Sequence, residues 1–198
     1  MYALKYISTL ALLATITQAK QLNRPSIKDA TITRSTSSCA TCPENNCYKC
    51  THGSDDTIRA NTGGLAWVRS IVGFQLPAEV DPSSVTECTV QFPAFTKLPE
   101  TGFNLTVVSA VSSDWEEAVV NGDNAPPTTD AIELIAVPKL TNPPLLDVTF
   151  ACQNADERGE FSIYLGVEFG SWEIWSKDSG FPAVLHVIFD DDEEEEEE

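Results

Sequence analysis

The clearest period along this chain is two. Over residues 161–169, Phe161, Ile163, Leu165, Val167 and Phe169 fall on one face and Ser162, Tyr164, Gly166 and Glu168 on the other, which is the alternation of a half-buried strand. The run 85–92 repeats it, with Cys88, Val90 and Phe92 set against Glu87, Thr89 and Gln91. Upstream, 65–76 is apolar on both sides apart from Arg69 and Gln75, a pattern that predicts an interior strand. A turn-rich segment with Pro77, Asp81 and Pro82 joins these two runs, and the rest of the chain is organised around them. Further short runs fall near 57–59, 103–111, 131–137, 145–150, 172–177 and 183–189. Pro, Gly, Asn and Asp separate them, and no helical period is sustained. The predicted fold is all-β, an antiparallel β-sandwich with little helix.

The two ends read differently. Residues 1–19 carry Lys5, an apolar run over 7–16 and a small-residue pattern suited to cleavage after Ala19, the features of a secretory signal peptide. That run is too short to cross a bilayer of roughly 30 Å, so the expected product is extracellular, with no membrane partner. Residues 20–38 are rich in Ser, Thr, Lys and Arg and read as a flexible lead-in. The formal charge is -18, but nine acids stand together at 190–198. Such a run repels itself and predicts a disordered acidic tail. The remaining body is moderately acidic and has no basic stripe, which argues against nucleic acid. The expected division is a signal peptide (1–19), a lead-in and cysteine-rich knot (20–52), a sandwich domain (53–189) and the tail (190–198).

Six cysteines fall into two sets. Cys39, Cys42, Cys47 and Cys50 form a CxxCxxxxCxxC cluster that could offer four thiolates to zinc. Behind a signal peptide, disulfides are the expected state and no metal is assigned. Three pairings within the cluster remain open. Cys88 alternates with Val90 and Phe92, and Cys152 with Val148 and Phe150, so both thiols are expected to face the sandwich interior and to bridge.

The chemistry points to binding. His52 and His186 are the only imidazoles, His186 inside an alternating strand, and no GxSxG, HExxH or phosphate-cradling loop is present. Glu116 and Glu117 are neighbours, whereas glycoside hydrolysis needs facing carboxylates. No enzyme activity and no cofactor are expected. Sugar binding needs aromatic faces and planar polar groups; Trp67, Trp115, Trp172, Trp175 and Tyr164 are the candidates. Read as a continuing strand, 172–177 puts Trp175 and Lys177 on one side. The expected ligand site is therefore Trp175 and Lys177 with Arg69, which shares a face with Trp67. Asn104-Leu105-Thr106 is a glycosylation sequon.

The order Val68-Arg69-Ser70-Ile71-Val72-Gly73-Phe74-Gln75-Leu76-Pro77, then 85–92, 105–111, Asp114-Trp115-Glu116-Glu117, Asn124-Ala125-Pro126, Leu146-Asp147-Val148-Thr149, Ser176-Lys177-Asp178 and Pro182-Ala183-Val184-Leu185 resembles the DNRLRE domain, or carbohydrate-binding module family 96. More narrowly, it resembles small secreted fungal members with an N-terminal cysteine knot. The resemblance spans 55–189 and implies a jelly-roll sandwich that binds polysaccharide without catalysis, acidic polymers among the ligands of some members. The cations here depart from that last expectation, since Arg59, Arg69, Lys97, Lys139, Arg158 and Lys177 are scattered. A secreted, monomeric polysaccharide-binding module is the first reading. The alternative is a structural or protein-interaction module of the cell surface that binds no sugar.

Overall fold

The protein, described by a computed structural model over residues 18–63 and 66–191, consists of β1 (Gln18–Pro25), β2 (Lys28–Ser35), β3 (Thr57–Gly63), β4 (Ala66–Gln75), β5 (Val85–Gln91), β6 (Phe103–Ala110), β7 (Thr128–Val137), β8 (Leu146–Asp147), α1 (Thr149–Gln153), β9 (Glu160–Val167), β10 (Gly170–Trp175) and β11 (Val184–Asp191). Residues 1–17 of the expected signal peptide, Gly64, Leu65 and residues 192–198 of the expected acidic tail lie outside the described residues. The strands form two antiparallel sheets. The smaller has the order β1-β11-β5-β8; the larger has β10-β3-β4-β9-β6-β7, with β2 also paired to β4. This is the all-β sandwich that the alternation predicts.

β4 is the hub of the larger sheet. It pairs with β2 from Gly73 to Ala66, with β3 at its start and with β9 toward its end. Those neighbours explain why it is apolar on both sides. Val72 and Phe74 enter the core between the sheets, where Phe74 stacks on Phe161 with centroids 5.4 Å apart. Ile71 faces the other way, into a second cluster with Ala30, Ile32, Val108, Trp115, Val120 and Tyr164. The segment 111–127 closes this second core on the larger sheet's outer face. Trp115 donates its indole N–H to Ser162 Oγ at 2.9 Å, and Tyr164 donates its hydroxyl to the Pro126 carbonyl at 2.6 Å. Burial pushes the Tyr164 phenol up to about 12.

Most residues read as a flexible lead-in form β1 and β2, and β1 begins at Gln18, two residues inside the expected signal peptide. β1 pairs with β11 along its whole length, from Gln18 with Asp191 to Pro25 with Val184. β2 buries Ala30 and Ile32 on one face but also Asp29, Thr31 and Ser35. Its polar side chains are satisfied rather than solvated: Thr31 Oγ1 accepts the Arg59 N–H and Asp29 Oδ2 accepts the Lys177 N–H. The knot next to it is oxidised as Cys39–Cys47 and Cys42–Cys50. Through the Gly122 N–H, which donates to the Tyr48 carbonyl at 2.8 Å, it ties β2 to the 111–127 segment.

Two strand assignments shift. The run 145–150 is strand only at Leu146 and Asp147; α1 follows. Asp147 Oδ1 accepts the Thr149 N–H, and Thr149 Oγ1 takes the Cys88 N–H at 2.9 Å, so a side chain ends the β5–β8 ladder after one short pairing. Phe150 therefore points outward. Cys152 lies on α1 rather than on a strand, yet one helical turn still delivers it to the core, where it bonds Cys88 across a Cα separation of 6.4 Å. Phe169, placed by alternation on the buried face, lies in the β9–β10 turn and is exposed. Gly170 there has φ of 92°, a left-handed conformation that ends the alternation.

Candidate functional site

The expected trio separates. Trp172 and Ile174 are buried as alternation requires, which turns Trp175 outward at the end of β10, 39% exposed. The strand does not continue to Lys177. Ser176 caps a 3-10 turn over Lys177–Ser179: its Oγ accepts the Asp178 N–H and donates to the Asp55 carbonyl at 2.6 Å. Gly180, with φ of 87°, reverses the chain and brings Phe181 back beside Trp175, with ring centroids 6.2 Å apart and planes at 44°. Of the aromatic ring pairs among the described residues, this one alone has both rings well exposed. Strand alternation overlooks Phe181. The Asp178-Ser179-Gly180 turn is the signal that could have placed it.

Lys177 holds this turn rather than facing solvent. Its Nζ pairs with Glu117 Oε2 at 2.8 Å and Asp178 Oδ1 at 3.0 Å, while its N–H donates to Asp29 Oδ2 at 2.9 Å. Glu117 Oε1 in turn accepts the Asp29 N–H at 2.6 Å. Desolvation works against the ammonium, but Glu117 and Asp178 outweigh it and raise Lys177 above its ordinary value. For Asp29, desolvation dominates; with Glu117 and Asp178 adding repulsion, it outweighs the Lys177 N–H and charge and raises the carboxyl to about 6. Carboxylate oxygens of Asp29, Glu117 and Asp178 lie within 4.8 Å of one another, a spacing that could hold a cation. The Lys177 ammonium already neutralises two of them.

Arg69 belongs to a different assembly. Its guanidinium lies 4.2 Å from the Trp67 ring, and that of Arg34, directly across from Trp67 in the β2–β4 register, lies 5.4 Å away. The stem of Arg69 runs over Gly166, where a Cβ would meet Thr106 Oγ1 and crowd the arginine. Burial lowers the Arg69 pKa and nearby Arg34 adds to the effect. The ring is thus covered by cations, and its role is cross-strand packing.

Other sequence candidates have structural roles. Trp115 lies under Lys28 Nζ at 4.8 Å. His186 Nδ1 meets Asn23 Oδ1 across β1 and β11 at 2.7 Å, and His52 pairs with Asp55 at 2.9 Å. Asn104 is half-exposed and donates Nδ2 to Glu168 Oε2 at 2.8 Å beside a groove of about 640 Å³. Treating secreted protein with peptide-N-glycosidase is expected to lower its apparent mass, and Asn104→Gln to abolish that change.

An oxidised, two-sheet sandwich with a surface aromatic pair defines the chain as an extracellular β-sandwich protein. No family model matches it. A protein of Arthroderma benhamiae described as an uncharacterized secreted protein is 54% identical over 188 residues, covering 92% of this chain and 95% of that one. The chain belongs to the same family of secreted proteins, and the protein is secreted.

Proposed function

We propose that this secreted sandwich is a non-catalytic carbohydrate-binding module that recognises a cell-wall or extracellular polysaccharide, in keeping with the resemblance to carbohydrate-binding module family 96. The observation that carries the reading is the Trp175–Phe181 pair, two exposed rings 6.2 Å apart. Pyranose rings offer apolar C–H faces that stack on aromatic surfaces, and two tilted rings present a step able to seat adjacent sugar units. Preorganisation supports the same reading. Ser176, Lys177 and Asp29 fix the turn between the rings, so little ordering is required on binding. Lys177 positions the site; Trp175 and Phe181 make the contact.

The test is a glycan array followed by affinity measurement on the best ligand. Trp175→Ala and Phe181→Ala are each expected to weaken binding about tenfold, the equivalent of ~1.4 kcal/mol, while the melting temperature changes little because both rings are partly solvated. Arg69→Gln is expected to leave affinity within about twofold. Equal binding by wild type and Trp175→Ala would remove the site.

A further inference from the structure

We infer that Arg34 and Arg69, held against Trp67 on the outer face of the larger sheet, form a binding site for a phosphate group, either the free ion or a monoester. In this acidic chain, Arg24, Lys28, Lys49, Lys97, Arg158 and Lys177 each pair with a carboxylate. Among the described residues, Arg34, Arg59, Arg69 and Lys139 form no ion pair. Arg59 and Lys139 are exposed, where water solvates the charge, whereas Arg34 and Arg69 are half-buried. The β2–β4 register brings these two together: Arg34 lies across from Trp67, and Arg69 follows Trp67 two residues on along the same face.

Two unpaired cations at one place oppose each other. Burial strips water from the Arg69 guanidinium and Arg34 repels it. Glu168, whose carbonyl accepts the Thr62 hydroxyl beside Trp67, turns its carboxylate to Asn104 Nδ2 instead. The fold nevertheless fixes both arginines. Arg34 Nε donates to the Gly122 carbonyl at 2.9 Å, and the Gly122 N–H is held by the Tyr48 carbonyl of the oxidised knot. A Cβ at position 122 would meet the Thr33 carbonyl oxygen at 2.5 Å, so this close approach requires glycine. Arg69 lies along Gly166, where a Cβ would come within 3.3 Å of its Nε. Ring and backbone thus order the two side chains while their donors stay available. Within the described chain the Arg69 side chain makes no hydrogen bond, and Arg34 makes only the one from Nε. No nitrogen of either is both buried and unpartnered, so these donors face solvent.

The donor set selects the ligand. Guanidinium forks are matched by oxyanions, which accept two parallel N–H bonds at once. A carboxylate brings a single charge and two oxygens. A phosphate monoester brings about -1.5 to -2 at neutral pH and three acceptor oxygens, enough to neutralise both cations and to accept from both forks. Neither Trp175 nor Phe181 takes part, so the site stands apart from the sugar-binding reading.

Calorimetric titration of the secreted protein with inorganic phosphate is expected to show one saturable site. Methyl phosphate tests the source: equal or tighter binding than inorganic phosphate assigns a monoester, and weaker binding assigns the free ion. Acetate should bind at least about tenfold more weakly than phosphate. Arg34→Gln and Arg69→Gln should each weaken phosphate at least about tenfold, and Arg69→Lys should do the same because an ammonium lacks the fork. Trp175→Ala should leave it unchanged. In the wild type, phosphate should move the NMR signals of the Arg34 and Arg69 Nε–H groups and leave those of Arg24 and Arg158 in place. Absence of saturable phosphate binding overturns the proposal. So does acetate binding as tightly as phosphate, or phosphate binding that leaves the Arg34 and Arg69 signals unmoved.

Discussion

Replacing Cys88 and Cys152 together by alanine is expected to lower the unfolding free energy by about 4 kcal/mol, the chain-entropy value for a closed loop of this length. The two residues are 64 apart in sequence and both fully buried. The bridge ties β5 of the smaller sheet to α1, and α1 packs on β9 of the larger one. Loss of this link should therefore be felt by both sheets. Because a domain of this kind holds roughly 5–15 kcal/mol in all, the double variant should melt well below wild type. The two knot bridges each close only eight residues and are expected to contribute nearer ~2.5 kcal/mol each. Denaturant unfolding of the three paired variants checks the order. A Cys88/Cys152 variant as stable as wild type would contradict it.

The second large effect is a pH dependence centred on Asp29. Its carboxyl is 3% exposed and is raised from 3.8 to about 6 in the fold. A folded-state value above the unfolded one means that the native state binds the proton more tightly. Its stabilising contribution is therefore full below about pH 4 and is lost as pH rises through about 6. The shift corresponds to about 3 kcal/mol across that window. Asp29→Asn keeps an oxygen for the Lys177 N–H but has no proton to lose. The difference in unfolding free energy between wild type and Asp29→Asn should therefore change by about 2.4 kcal/mol between pH 4 and pH 7.5, with wild type losing ground as pH rises. Parallel curves would show that Asp29 carries no such shift.

Where the fold was legible in the sequence, the reason was a face buried against a single apolar layer. The alternation of β5 and β11 follows from one side of each strand meeting the core, and the Cys88–Cys152 bridge from that same side; β9 alternates because Phe161, Ile163 and Leu165 meet that core while its other face, with Ser162 and Tyr164, is buried under the second cluster. β2 escaped because its second face is buried too, under polar side chains that find partners at Arg59 and Lys177. A buried hydroxyl and a solvated one look alike in a sequence. The 145–150 run misled because a short apolar alternation does not separate a strand from a single helical turn; Asp147 and Thr149 decided it through side-chain hydrogen bonds to backbone. The site was half legible. Outward placement of Trp175 followed from Trp172 and Ile174 being core residues, whereas the turn begun by Ser176 took Lys177 into ion pairs and returned Phe181 to Trp175.

Sugar contact at Trp175 is the central claim, and tryptophan fluorescence reports on it directly. Trp115 and Trp172 are buried and Trp67 is partly covered by Arg34 and Arg69, so Trp175 is the most exposed of the four indoles. Titration of the secreted protein with a panel of cell-wall polysaccharides should give, for at least one, a saturable blue shift in emission that vanishes in Trp175→Phe. A panel without any saturable change, or a change that persists in Trp175→Phe, would contradict the account.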